Sequence, residues 1–498
     1  MRTVNIVPIN NPLRFLCCAA VATMLWPQTS FALNTPTNTD YVKPVAAREP
    51  AKPASAGLVN DWWREQSPAF SPWDIGGQFR LRYELKDDAG FGANNDFIHS
   101  RENDNDYYLL REKIHIGYTP EKWLSFFVEG RDASAHSDER DPSPDTDTFD
   151  LHQAFVSFGD PGQFPLSLKI GRQELLYGDE RFVGVSDWGN TGRSFDAAKL
   201  RFENEALSVD LFSGRVVVPY DDHFNVANDY DWFSGIYAST RKLVPWQETQ
   251  LYFLARNVGT AAANAVAAGV PGSPSTARDV YTLGTRLKSL PGKLKGWDYS
   301  AEVAGQFGSI VQSGVRRDLK SLAADATAGY TWMKVFGAPR VGGGYTYASG
   351  DSDPTDGKTE TFEPLLGTNH KFYGLMDLWG LRNIHSGRFV ASIKPLKRIT
   401  LSTEYHLLWL ADTHDFFYPE SGAGRSANGY GRKPQNDNYV GSELDIIADC
   451  AVTPYLNAQV GYGHFFVGDY IRQSVHSVPA NGGPVDADWF YAQIKFNF

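Results

Sequence analysis

The chain has 498 residues, of which 14% are aromatic, with 46 glycines, four methionines, three cysteines and a formal net charge of -11. An acidic total argues against a nucleic-acid partner. No apolar run is long enough to cross a bilayer as a helix, so any membrane insertion has to use strands.

The N-terminus reads MRTVNIVPINNPLRFLCCAAVATMLWPQTSFALN, with Arg2 and Arg14 ahead of an apolar run from Phe15 to Trp26 and small residues at Ser30 and Ala32. This pattern reads as a secretory signal peptide over 1–32. Cys17 and Cys18 fall within it, which leaves Cys450 alone and rules out an internal disulfide framework. Residues 33–73 are rich in Pro, Ala, Thr and Asn (TPTNTDYVKPVAAREPAKPASAG) and read as a flexible periplasmic arm.

From residue 74 to 498 the text becomes rhythmic, with apolar and polar residues alternating at period two. The alternation predicts strands over Ile75–Glu84, Tyr107–Gly117, Trp123–Asp132, Thr148–Gly159, Leu166–Leu176 and Phe195–Glu203. Next come Leu207–Val218, Trp232–Arg241, Glu248–Asn257, Val280–Leu287, Trp297–Phe307 and Lys320–Tyr330. The last six are Arg340–Ser349, Gly387–Ile393, Ile399–Trp409, Asn438–Asp449, Leu456–Val467 and Asp486–Phe498. About eighteen strands, an even number, fit an all-β transmembrane antiparallel barrel. The connections alternate between short turns (YTPEK, DPGQF, NEA, KPLKR, CAVTPY) and long acid-rich loops. Such a rhythm predicts short periplasmic turns at one end and long extracellular loops at the other. The final strand, DWFYAQIKFNF, closes on Phe498, the aromatic end by which an outer-membrane strand is read by the barrel-assembly machinery.

Alternation also assigns faces. In QFRLRYEL, Phe79, Leu81, Tyr83 and Leu85 point one way, and Gln78, Arg80, Arg82 and Glu84 the other. Arg or Lys on the lipid face near mid-bilayer costs about 2–4 kcal/mol, so the second set has to be luminal. The same argument places Arg111, Lys113, Glu129, Arg131, Lys169, Lys199, Arg201, Glu203 and Arg256 in the lumen. It adds Arg286, Glu302, Asp325, Arg388, Glu404, Glu443, Asp445 and Lys495. Two readings stand side by side: cations that ease an anion through, or polar filling that ties opposite walls together. Arg80, Arg82, Arg111, Arg131, Lys169 and Arg201 cluster on the first six strands and favour the former. Lys169 and Gly171 share a face that Arg172 leaves, which predicts a bulge or a strand end there. In the loops, Asp145, Asp147 and Asp150 are closely spaced but match no complete calcium loop. His152 and His406 read as polar wall residues, and no catalytic motif appears, so no enzyme, metal or cofactor is expected.

The stretch KIGRQELLYGDERFVG, followed by WGNTGRSFDAAKLRF, resembles the alginate-export family of outer-membrane porins, over roughly Ile75 to Phe212. The resemblance implies an eighteen-stranded monomeric barrel with an arginine-lined lumen that conducts an anionic polysaccharide. It further implies that Arg172 lines the constriction and that Gln173, Glu174, Asp179, Glu180 and Arg181 anchor a loop there. One departure is that the family's long periplasmic gate has no counterpart among the short turns; the arm with Trp62 and Trp63 is the substitute at hand. The expected function is an outer-membrane channel for anionic or sugar-like solutes, exporting an alginate-like exopolysaccharide. A nutrient-uptake porin of the same fold is the alternative, and a barrel enzyme acting on lipid or glycan a lesser one.

Overall fold

A computed structural model describes residues 57–259, 276–420 and 422–498; the expected signal peptide and the first part of the arm lie outside them. Eighteen strands form one closed antiparallel sheet, to which the two-residue strand Lys358–Thr359 adds a short parallel pairing with Asp318 and Leu319. The eighteen are β1 (Trp73–Asp87), β2 (Asn105–Glu121), β3 (Leu124–His136), β4 (Asp147–Phe158), β5 (Leu166–Gln173) and β6 (Phe195–Glu203). There follow β7 (Leu207–Val218), β8 (Val226–Val244), β9 (Gln247–Val258), β10 (Arg278–Ser289), β11 (Trp297–Gln312) and β12 (Val315–Thr331). The set ends with β13 (Arg340–Ala348), β14 (Ile384–Leu396), β15 (Ile399–Leu410), β16 (Tyr439–Ala451), β17 (Leu456–Val467) and β18 (Ala487–Asn497). Each strand pairs with its sequence neighbours, and β18 returns to β1, with Phe496 opposite Phe79 and Lys495 opposite Arg80. Closure leaves no strand of the barrel with an open edge, as a bilayer requires. At the seam, Phe498 and Gly77 exchange backbone hydrogen bonds at 3.0 Å in both directions.

Exposed Ile114, Ile116, Val128, Leu251 and Phe389 belong to the apolar outer band. Exposed Trp73, Trp123, Trp246, Trp297 and Trp332 stand at the short-turn end and mark the interfacial aromatic girdle. The alternation of short and long connections is broken at the β7–β8 connection, only 219–225, and more sharply between β11 and β12. A long loop was expected between Phe307 and Lys320, but β11 and β12 run on to a two-residue turn, Ser313–Gly314, with φ of 51° and 78°. Two successive positive φ values make the tight hairpin turn whose twist matches its strands, so residues 308–312 and 315–319 extend the ladder instead of leaving it.

The described part of the arm is not featureless. Helix α1 (Leu58–Gln66) and a 3-10 turn at Pro68–Phe70 precede β1. Asn60 seats the helix against the barrel end: its Nδ2 donates to Asp74 Oδ1 and its Oδ1 accepts from the Ile75 amide, both at 2.6 Å. Tyr455, in the turn between β16 and β17, donates to Asp61 at 2.6 Å. Among the described residues no helix is long and apolar enough to cross a membrane, a fact that does not bear on strands. A second short helix, α2 (Asp469–His476), lies in the β17–β18 loop.

Candidate functional site

The luminal rows of β18, β1 and β2 bring cations into register. Arg80 lies opposite Lys495 on one side and Arg111 on the other. Like charges directly opposed are unfavourable unless something else takes their hydrogen bonds. Here the 174–194 loop between β5 and β6 does so, by folding into the barrel. Arg80 donates to the Asp187 carbonyl at 2.7 Å and to Asn190 Oδ1 at 2.9 Å. Arg82 donates to the Trp188 carbonyl at 2.8 Å, with its guanidinium 3.8 Å above the Trp188 ring. Arg111 donates to the Asp187 carbonyl at 3.0 Å and pairs with the Asp187 carboxylate at 2.9 Å. Carbonyls at a loop tip have no ladder partner, and a guanidinium offers five donors in a fixed fork. Three arginines thus close over three consecutive peptide units.

The start of the same loop is fixed to the far wall. Asp179 accepts from Arg286 Nε at 3.0 Å and from Lys288 Nζ at 2.7 Å. Burial pushes the Asp179 carboxyl up, but Arg286 and Lys288 outweigh it and hold the group well below the usual carboxylate range. Arg181 donates to Asp325 at 2.7 Å and to the Tyr373 hydroxyl at 3.0 Å, and lies 3.3 Å from Glu302. A second loop, 349–383, packs on the first. Lys371 pairs with Glu180 at 3.3 Å, Arg193 donates to the Gly367 carbonyl at 3.1 Å, and His370 stacks on Trp188 at 3.8 Å. Its Met376 amide donates to Glu443 at 2.9 Å, so β16 holds this loop by backbone donors as β1 and β2 hold the other by carbonyls.

The residues expected in the lumen divide by surroundings. Arg80, Arg82, Arg111 and Arg131 are 1–3% exposed; the first three lie under the loop tip, and Arg131 is bonded to Asp147 and His152. Arg256 pairs with Asp231 at 2.8 Å, Arg201 with Asp210 at 2.6 Å, and Arg388 lies 3.8 Å from Glu404. The luminal cations that keep a fifth or more of the side chain exposed are Lys199, Arg201, Lys288 and Lys371, at 20%, 24%, 23% and 29%. Lys169, half-buried over the Phe155 ring, lies directly opposite Lys199.

Arg172 is a correction. Its strand face is that of the exposed Ile170, and it pairs with Asp196 on the outer side, Nε to Oδ1 at 2.8 Å, so it does not line the pore. β5 ends one residue later, at Gln173, whose Nε2 donates to the Ala197 carbonyl at 2.9 Å. The register shift lies instead in β4, where His152 is the extra residue beside the Glu129–Gln153 pair.

Glu129, His152 and Glu174 bring one ligand-type atom each within 4.8 Å of one another. Their bonding is nevertheless that of an ion-pair cluster. Arg131 donates to His152 Nδ1 at 2.9 Å, which leaves Nε2 to carry the proton shared with Glu174 at 3.0 Å. Lys113 lies 3.9 Å from Glu129 and 3.7 Å from Glu174. The acidic run is spoken for as well: Asp145 takes Arg140 and the Asn190 amide, Asp147 takes Arg131 and Asn225, and Asp150 takes the Asn225 amide. Sequence reasoning missed Asp187, Asn190, Asp210, His370 and Tyr373. Asp210 lies on β7, where alternation with Leu211 could have found it; for the other four the only signal was the length of the two loops that carry them.

The alginate export family model matches residues 71–481. No curated protein matches the sequence. Among solved structures, the chain is similar to OccK1 (OpdK) of Pseudomonas aeruginosa, with 12% identity, a TM-score of 0.53, and coverage of 85% of this chain and 98% of that one. It is also similar to OpdQ of the same organism, with 12% identity, a TM-score of 0.52, and coverage of 86% and 98%. At such identity the likeness speaks for the fold alone. The family match spans four-fifths of the chain and the barrel is closed: the protein belongs to the alginate export family of outer-membrane β-barrel channels.

Proposed function

We propose that this outer-membrane channel passes anionic or sugar-like solutes along the side of the lumen faced by Lys169, Lys199, Lys288 and Lys371. The observation that carries the reading is the placement of water-facing cations apart from the arginines that clasp the loop tip. Cations at the wall lower the energy of a crossing anion, and Asp210 beside Lys199 at 3.8 Å keeps the site from becoming a trap. In this reading Arg80, Arg82, Arg111 and Arg131 position the constriction, and Asp179, Glu180 and Arg181 anchor its loop. The protein acts as a monomer without a catalytic role, and its final strand is the segment that the assembly machinery reads.

A passive barrel has no built-in direction, so export of an alginate-like polymer and uptake of a small acid differ in gradient and partners, not in this path. The test is the reversal potential in a planar bilayer under a salt gradient, for the wild type and for Lys169 and Lys199, which hold neither loop, changed together to Ser. Anion selectivity that falls in the variant supports the path. Cation selectivity in the wild type, or no change in the variant, overturns it.

A further inference from the structure

The short turns at the periplasmic end divide into two halves of opposite character. The β8–β9, β10–β11, β12–β13 and β14–β15 turns read KLVPWQ (242–247), SLPGKLKGW (289–297), WMKVFGAP (332–339) and KPLKRI (394–399), with a lysine in each and no carboxylate in any. The turns of the other half carry Glu121, Asp160 and Glu205 against Lys122. The basic turns are joined to one another: the Leu290 amide donates to the Trp246 carbonyl, the Thr331 amide to the Gly296 carbonyl and the Lys394 amide to the Gly337 carbonyl, each at 2.8 Å. From β8 to β15 they make one arc of seven strand spacings, on the order of 34 Å.

The charge on this arc is available. Among the described residues Lys293, Lys295, Lys334 and Lys397 are exposed, and their ammonium groups have no hydrogen bond, ion pair or ring contact. Lysines gathered on one edge without counter-charge repel one another, and an anionic surface relieves that repulsion. Between them Leu243, Met333 and Phe336, at 71%, 72% and 77%, are the most exposed large apolar side chains among the described residues, more so than Phe389 on the lipid-facing wall at 61%. Trp246, Trp297 and Trp332 of the girdle stand in the same turns, which sets the arc at the level of the headgroups.

We propose that this arc binds anionic phospholipid of the inner leaflet, with phosphates at Lys293, Lys295, Lys334 and Lys397 and with Leu243, Met333 and Phe336 among the tops of the acyl chains. The girdle places this edge against the bilayer, so phospholipid is what lies beside it. Charge decides which phospholipid: a lysine at the leaflet surface is drawn to headgroups of net negative charge and far less to zwitterionic ones. Its flexible stem lets the ammonium reach a phosphate while the carbons lie along the chains. Glu121, Asp160 and Glu205 repel the same headgroups on the far side, so the binding is one-sided.

The test uses the full chain, delipidated in neutral detergent and offered equal amounts of phosphatidylglycerol and phosphatidylethanolamine with the same acyl chains, with retained lipid counted by native mass spectrometry. Expected is phosphatidylglycerol retained on the order of tenfold over phosphatidylethanolamine. Lys293→Gln, Lys295→Gln, Lys334→Gln and Lys397→Gln together should bring the two near parity. Met333→Ser with Phe336→Ser, which leaves every charge in place, should lower retention of both lipids, and serves if the lysine variant fails to show the heat-dependent gel shift of a folded barrel. Equal retention of the two lipids by the wild type overturns the proposal, as does a lysine variant that keeps the wild-type preference, since the luminal cations would then be its cause. Retention indifferent to the serine pair, displacement of phosphatidylglycerol by a soluble polyuronate, or a second copy of the chain in place of lipid would overturn it too.

Discussion

Replacing Arg82 with methionine removes one clasp of the loop tip and nothing else that the tip needs. The lost contacts are the hydrogen bond to the Trp188 carbonyl at 2.8 Å and the stacking over its ring at 3.8 Å. A hydrogen bond from a charged donor contributes about 1.5–3 kcal/mol, and a cation over an indole about 0.5–2 kcal/mol. Relief of repulsion among Arg80, Arg82 and Arg111 subtracts from the sum. Glu84 loses the 2.8 Å partner of its Oε1 and keeps the Tyr107 hydroxyl and the Trp489 indole on Oε2, a cost borne by the wall of the barrel and not by the loop tip. The net is about 2–3 kcal/mol of docking free energy, or roughly 30- to 150-fold more frequent opening of the tip. Amide exchange reads local opening directly, and the Asn190 amide, bonded to Asp145 at 3.0 Å, is the reporter. Exchange at 187–190 should accelerate by that factor in the folded protein while β1 stays protected, and the reversal potential should hardly move. Unchanged exchange with a large loss of anion selectivity would refute the reasoning and put Arg82 in the ion path.

The Asp179 clamp has a sign in pH. Its folded pKa is depressed, so the stabilisation is present above the unfolded value near 4 and is lost as pH falls through the folded one. Current noise from loop motion should stay flat from pH 8 to 5 and rise below about 4; noise that rises towards alkaline pH would contradict the anchor. At the seam, a Cβ on Gly77 would sit 2.2 Å from the Lys113 carbonyl and 2.5 Å from the Phe498 ring. Gly77→Val should therefore abolish the heat-dependent gel shift of the closed barrel, and a normal shift would show that the seam can give way. Asn60→Leu removes both bonds that seat α1, a loss of about 1–3 kcal/mol. Protease added from the periplasmic side should then cut between residues 57 and 72 several times faster, and an unchanged rate would mean that Tyr455 and Arg64, which donates to the Trp73 carbonyl at 2.8 Å, suffice to hold the helix.

Period-two alternation carried most of the fold to the surface of the text, because lipid on one side and water on the other punish every residue on the wrong face. Arg80, Arg82, Arg111, Lys169 and Arg286 were legible as luminal for that reason alone. Alternation took Arg172 off the luminal face, and only the family resemblance put it in the constriction; one residue from the end of β5, its ion pair sits on the outer rim and no longer faces hydrocarbon. Alternation was silent on residues 308–319, since a hairpin beyond the bilayer can be ladder or loop at similar cost. The clasp was hidden for a different reason. Whether an arginine faces a permeating ion or a peptide carbonyl depends on where two loops of 21 and 35 residues fold, and nothing local encodes that.

The pairing of β1 with β18 joins residues 78 and 497, so one flank of the N-terminal barrel strand stays without a partner while all the intervening hairpins form. Throughout that interval two ragged edges would recruit any other extended chain they met. The two inward loops sharpen the difficulty, because a sheet that curls shut before they are tucked inside has trapped them out. Assembly is therefore a problem of timing, in which the holder of the open edges decides when the ring is allowed to shut.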